Sequence, residues 1–330
     1  MVIAAVVPAQ PRTGRGDILI RADRLRVRFG ERWALDDLSF TVSAGEVVGI
    51  LGPNGAGKTT TLFVLATLLR PTAGTATVAG HRVDTEAAAV RRLLGVVPQA
   101  LAVYPTLTAA ENARFFARLL GFRGRAAQAA AAQALAGVGL SERGDEIVST
   151  FSGGMQRRLN LACGILHTPR VLLLDEPTVG VDPQSRQHIL AAVRTQAAAG
   201  AAVLYSTHYL EEAERLCDRV VLIDHGRVVA AGPPAMLIRE HGRGLRLQVI
   251  TRAPLPCDWL DGIAGAHIIA GAQEGATDAV VAQVALDAPT VAPRVLERAT
   301  TVGSDVLEFH LHRPDLQDVF MTLTGGELRD

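Results

Sequence analysis

The apolar run Glu46-Val-Val-Gly-Ile-Leu51 leads straight into Gly52-Pro-Asn-Gly-Ala-Gly-Lys-Thr-Thr60, and a second apolar stretch follows to Arg70. The first run predicts a buried strand and the stretch Thr60 to Arg70 a helix, so the glycine-rich segment is the loop between them. Glycines at 52, 55 and 57 permit positive φ and let successive backbone N–H groups converge on one point, at which the following helix aims the positive end of its dipole. Such a loop is a phosphate cradle. It confines the chain to an α/β architecture with a buried parallel sheet. Lys58 is the only lysine among 33 Lys+Arg positions. An ammonium on a thin stem can lie along the loop and touch two phosphates, which a planar guanidinium cannot do. Lys58 is therefore expected on the β- and γ-phosphates, with the Thr59 hydroxyl on a Mg²⁺ ion that bridges them. The whole loop, Gly52, Pro53, Asn54, Gly55, Ala56, Gly57, Lys58, Thr59 and Thr60, is assigned to phosphate binding.

Composition sets outer limits. At 330 residues, 48% hydrophobic and formally neutral, the chain can bury one large core and a smaller one, so two domains are expected. No basic excess exists to hold nucleic acid. Cys163, Cys217 and Cys257 are far apart and form no CxxC pair, which fits a reducing compartment and argues against a metal site or disulfide frame. The opening residues, 1–16, read as a flexible tail and not as a secretory signal, since no basic residue precedes their apolar run. No run of 18 or more apolar residues appears, so business at a membrane would pass through a partner.

A second motif lies at Val171-Leu-Leu-Leu174, which ends in Asp175-Glu176-Pro177. Two carboxylates directly after a buried parallel strand stand at its carboxyl end, where open α/β sheets bind ligands. Alone, the pair is equally an ordinary helix N-terminus. Beside a phosphate loop, Asp175 is expected in the Mg²⁺ shell and Glu176 to orient, or accept a proton from, an attacking water.

Between these motifs stands Phe151-Ser-Gly-Gly-Met-Gln-Arg-Arg158. It resembles the signature sequence of the ATP-binding cassette (ABC) family, and the likeness runs from about Asp17 to Gly232. The resemblance implies a P-loop NTPase core of the ABC type with an antiparallel β subdomain and a helical lobe at about 98–166, the cassette spanning 17–240. It implies ATP and Mg²⁺ as cofactors. Phe29 resembles the aromatic that stacks on adenine, with Trp33 as a rival, and Gln99 in Val96-Val-Pro-Gln99 resembles the glutamine loop that hinges the lobe and reaches the metal. Asp182 resembles the D-loop, a subunit contact, though Asp182-Pro183 is also a good helix start in its own right. His208, after the strand Ala202 to Ser206, resembles the switch histidine near the γ-phosphate and water. Ser152, Gly153 and Gly154 form a second anion site at a helix start, here Gly153 to Leu166, and the family's arrangement places the γ-phosphate of a second copy against it. Phe151 and Met155 depart from the usual leucine and glutamine, and Phe29 from the usual tyrosine.

In the lobe, Thr108-Ala-Ala-Glu111 is a capping box opening a helix over Ala109 to Leu120, with Gly121 closing it; an alanine-rich helix from Arg125 to Leu135 follows. Leu101, Val103, Tyr104 and Leu107 are either a groove for a membrane subunit or ordinary core. After Gly232-Pro-Pro234 and a helix-like Ala235 to Glu240, residues 240–244 read as a linker. Strands at Leu245 to Ile250, Ala279 to Ala285 and Asp305 to His312, with helices at Val291 to Arg298 and Pro314 to Leu323, predict a small α+β domain over 245–330. Its ending, Arg313 to Met321, resembles the tail of cassette subunits of bacterial drug, antibiotic or glycolipid exporters, including the daunorubicin-type resistance group. The alternative for this domain is a dimerisation module. The resemblance thus implies an ATPase that forms an ATP-dependent homodimer at the cytoplasmic face of the cell membrane and powers efflux through separately encoded transmembrane permease subunits, with no nucleic acid involved. An importer shares every catalytic motif and is the nearest rival; a ribosome-acting ATPase would carry two cassettes, and a chromosome-structuring one a long coiled coil, neither of which is present.

Overall fold

Long strands with alternating burial begin the described chain, β1 (Ile18–Phe29) and β2 (Arg32–Ser43), and both turn Leu25, Val27, Leu35, Leu38 and Val42 inward. The structure is a computed structural model and describes residues 17–274, 280–302 and 305–325. The expected tail, 1–16, lies outside the described residues. After them come β3 (Val47–Leu51), α1 (Lys58–Leu65), β4 (Ala73–Val78), β5 (His81–Arg82), α2 (Ala87–Leu93) and β6 (Leu94–Val97). Helices α3 (Ala109–Leu119), α4 (Gly124–Gly137) and α5 (Gly153–Ile165) then precede β7 (Val171–Asp175), α6 (Pro183–Ala198), β8 (Ala202–Thr207), α7 (Leu210–Leu216), β9 (Arg219–Asp224), β10 (Arg227–Gly232) and α8 (Pro234–His241).

Two sheets share the first core. The antiparallel one is ordered β2-β1-β4-β5, and the six-stranded one β10-β9-β3-β8-β7-β6. Strands β6, β7, β8, β3 and β9 run parallel, and only β10 returns antiparallel. Strands β3, β7 and β8 are buried at every residue, which explains why they read as unbroken apolar runs and not as alternation. Parallel register sets Leu51 beside Thr207, Asp175 beside Ser206 and Val97 beside Leu174. Every loop that follows these strands therefore opens on one edge of the sheet.

Helix α1 is shorter than the apolar stretch suggests. It stops at Leu65 because Thr67 takes a left-handed φ of 60°, and the N–H groups of Leu68 and Leu69 both turn back to the Phe63 carbonyl. The lobe helices follow their local signals more closely. Thr108 Oγ1 accepts from the Glu111 N–H and Glu111 Oε2 from the Thr108 N–H, a closed capping box that contributes about 1 kcal/mol.

The chain divides into two compact units, one running to Met236 and the next beginning at Leu237. Helix α8 spans this division, which therefore falls a few residues before the 240–244 linker read from composition. The second unit holds β11 (Leu245–Thr251), β12 (Ala266–Glu274), β13 (Val280–Leu286), α9 (Ala292–Thr301), β14 (Val306–His312) and α10 (Leu316–Thr324). Its sheet is antiparallel in the order β12-β13-β11-β14. Leu247, Val249, Val284 and Leu286 meet Trp259 and Val295 of α9 in its core. Strand β12 is absent from the sequence-based expectation: Ala-His-Ile-Ile-Ala-Gly-Ala-Gln-Glu has little β-branched or alternating character, and pairing with β13 carries it.

Candidate active site

The loop after β3 is built by its glycines. Gly55 and Gly57 have φ of 82° and 109°. A methyl group added at Gly57 would stand 2.7 Å from both the Ala34 carbonyl and Leu35 Cδ2, and one at Gly52 would stand 2.2 Å from the Ile223 carbonyl. The Lys58 ammonium folds back along the loop, donating to the Gly52 carbonyl at 2.7 Å and the Pro53 carbonyl at 3.3 Å, and lies 3.6 Å from Glu176 Oε1. Burial pushes its pKa down, and the Glu176 and Asp175 carboxylates push it back up in part.

Strands β7 and β8 deliver the acidic pair. Asp175 Oδ1 accepts from Ser206 Oγ at 2.7 Å and from Thr59 Oγ1 at 3.3 Å, joining three parts of the site. Glu176 sits at a left-handed φ of 45°, a strain of about 1–3 kcal/mol held by its neighbours; its N–H donates to Ser206 Oγ at 3.0 Å. Gln99 Nε2 donates to Glu176 Oε2 at 3.2 Å, and His208 Nδ1 is 3.3 Å from the same oxygen. Three elements thus converge on one buried carboxylate. Beside it opens a cavity of about 270 Å³ lined by Pro53, Asn54, Gly55, Gly57, Lys58, Thr59, Thr60, Gln99 and Glu176, together with Arg32 and Ala34. The set of oxygen donors from Thr59, Asp175 and Gln99 suits a small hard cation, and the glycine cradle with one ammonium suits a polyphosphate.

The family model for ABC transporters matches residues 35–179. The linearmycin resistance ATP-binding protein LnrL of Bacillus subtilis is 36% identical over 94% of this chain and 100% of its own length. The chain belongs to the ATP-binding subunits of ABC transporters. The daunorubicin/doxorubicin resistance ATP-binding protein DrrA of Streptomyces peucetius is 41% identical over 90% of this chain and 89% of its own. A solved ATP-binding subunit of an ABC transporter superposes with a TM-score of 0.61 at 32% identity, over 67% of this chain and 92% of that one. As a cassette subunit the chain binds ATP and is an ATPase. Among the described residues no helix is long and apolar enough to cross a membrane.

Several expected residues of this cassette subunit stand outside the cavity. Ala56 and Gly52 shape the loop from beneath: Ala56 is buried and Gly52 packs on Ile223. Phe29 is 55% exposed and does not line the cavity. Half-buried Trp33 is occupied by the Arg26 and Arg28 guanidinium groups, 4.8 and 5.6 Å from its ring centre, so it is the poorer platform for a base. Ser152 caps α5, its Oγ accepting from the Met155 N–H at 3.2 Å, and Gly153 faces open space. A methyl at Gly154 would meet Ser185 Oγ at 2.4 Å and Asp182 Oδ2 at 2.5 Å, so that glycine lets α5 approach the start of α6. Asp182 caps α6, accepting from the Ser185 N–H at 2.9 Å, which holds its carboxyl below the usual range.

Sequence reasoning missed Arg32 and Ala34. The tight β1–β2 hairpin brings them over the loop, and a methyl added at Gly55 would lie 3.2 Å from Arg32 Nη2. The Gly30-Glu31 turn was the available signal. Arg157 was missed too: from α5 it donates to the Gln99 backbone carbonyl. Cys163 and Cys217 are buried, and burial pushes each thiol up to about 12, whereas Cys257 is exposed.

Proposed function

We propose that this cassette subunit hydrolyses ATP to drive an exporter whose membrane path is formed by separate permease subunits. The observation that carries the hydrolytic part is the buried Glu176 carboxylate, held in contact with Lys58, Gln99 and His208 in the lining of the cavity. In this reading Lys58 and the loop amides grip the β- and γ-phosphates. Thr59, Asp175 and Gln99 hold Mg²⁺, which when bound neutralises charge on those phosphates. Glu176 Oε2 takes the proton of the attacking water or fixes its direction, and His208 orients that carboxylate. Arg32 adds a second positive charge above the loop. Phe29 offers its exposed ring to the base.

Ser152 and Gly153 are exposed and their own cavity does not include them. Their anion site suits the γ-phosphate of a second copy, giving an isologous dimer assembled by ATP. Docking to a permease is assigned to the lobe: Leu101 and Tyr104 are exposed there, and the rings of Phe115 and Phe116 lie 5.0 and 6.3 Å from that of Tyr104, an apolar cluster with reason to be covered. That docking places the subunit at the cytoplasmic face of the membrane. Likeness over nearly the full length to two resistance proteins supports export of a drug-like or antibiotic compound.

Glu176→Gln tests the reading. The amide occupies the same backbone and the same space but accepts no proton, so ATP affinity should stay near wild type while hydrolysis falls by about 10²–10⁴-fold. The variant should elute as a dimer with ATP. Turnover at the wild-type rate would refute the role of Glu176.

A further inference from the structure

Beside the catalytic carboxylate lies a buried polar cluster that the chemistry above does not use. Glu212, on α7, is 4% exposed. Its Oε2 accepts from Tyr205 Oη at 2.7 Å and Thr178 Oγ1 at 2.8 Å, with Thr207 Oγ1 at 3.4 Å. Its Oε1 lies 3.2 Å from Arg186 Nε, on α6 one turn beyond Asp182. The Arg186 guanidinium also stands over the Tyr209 ring at 5.1 Å, and that ring is 4.1 Å from the His208 ring. The Tyr209 N–H in turn donates to Thr207 Oγ1 at 2.9 Å.

A lone carboxylate at this depth costs several kcal/mol, and an apolar side chain of like volume would serve packing as well. Here the cost is offset at Oε2 by hydroxyl donors and at Oε1 by the charge of the nearby guanidinium alone, since Oε1 and Arg186 Nε make no hydrogen bond among the described residues. Burial and the Glu212 charge push the Tyr205 phenol well up, so it stays a donor. What the cluster adds is connection. Thr178 is two residues past Glu176, Thr207 and Tyr209 flank His208, and Arg186 rides on the helix that Asp182 caps.

We infer that Glu212 and Arg186 are positioning residues: they hold the His208–Tyr209 segment against Glu176 and tie that hold to helix α6. The inference rests on the assignment of Glu176 and His208 to hydrolysis. If Asp182 meets a second copy, a shift of α6 moves Arg186, and Tyr209 and His208 follow through the stacked ring. His208 would then be in place only when the dimer is.

Arg186 is the residue to change, because its side chain is 35% exposed and Glu212 Oε2 keeps its hydroxyl donors without it. Arg186→Ala should bind ATP within about twofold of wild type while kcat falls about tenfold or more, the effect of a small misplacement at a reacting centre. Without nucleotide, its amides at 206–210 should exchange about tenfold faster, since the segment loses its tether. Arg186→Lys should recover part of both, keeping the ion pair but not the flat stacking on Tyr209. Wild-type kcat in Arg186→Ala, or a fall in kcat matched by equal losses in ATP affinity and Tm, would overturn the inference. Unchanged exchange at 206–210 would overturn it as well. Wild-type protein inert toward ATP would remove the catalytic reading alone, because faster exchange in Arg186→Ala would still establish the tether.

Discussion

Lys58 carries opposing demands. In the proposed site it must be protonated to grip phosphate, yet its burial favours the neutral amine. Since ATP binds the protonated form, affinity should fall as pH rises through the depressed Lys58 pKa, a loss that sets in below the ordinary lysine range near ~10.4. Titrations of nucleotide between neutral and alkaline pH check this; Lys58→Arg should bind more weakly and lose that pH dependence, because guanidinium does not titrate there. At this scale the legible residues were those inside contiguous motifs: Lys58, Thr59, Asp175 and Glu176 announce themselves because phosphate and metal chemistry demand their spacing. Arg186 and Glu212 were illegible for the converse reason: each acts through a partner on another element, and nothing local marks it. Arg32 had only the indirect signal of the Gly30-Glu31 turn beside it.

Asp36 shows how single elements are fastened together. Its carboxylate on β2 is bonded by Arg26 of β1 at 2.9 Å and by Arg227 of β10 at 3.0 Å, while its backbone N–H donates to the Gly226 carbonyl. The hydrogen bonds from Arg26 and then Arg227 hold the Asp36 pKa below its ordinary value. A lowered carboxyl pKa contributes stability above the unfolded-state value that is lost as pH falls through the folded one. Asp36→Asn should therefore lower Tm at pH 7, and the gap from wild type should close towards pH 3 in thermal melts. Helices with strong end signals, such as α3 between its capping box and Gly121, could be read almost to the residue. The end of α1 could not, because a left-handed Thr67 stops an otherwise apolar run, and β12 exists through its neighbour and not through its own residues.

For the whole molecule the outstanding question is assembly. A Cβ added at Gly153 would meet, among the described residues, nothing within 4 Å beyond its chain neighbours and its own helix backbone, so a side chain there has room, and in the proposed dimer a carboxylate would confront the incoming γ-phosphate of a second copy. Gly153→Asp in the Glu176→Gln background should therefore leave ATP binding by the single chain intact and abolish the dimer in size-exclusion chromatography. A dimer that persists would move the contact elsewhere. Length and composition predict two domains, with a linker at 240–244; the chain instead divides between Met236 and Leu237, inside α8, which carries no linker-like composition. One consequence follows from the lone lysine at the bottom of its loop. Lys58 is the only lysine of the sequence, is buried and lines the cavity, so any lysine that an acylating dye marks on this subunit is that one. In the proposed site, the extent of that labelling reports whether nucleotide is bound.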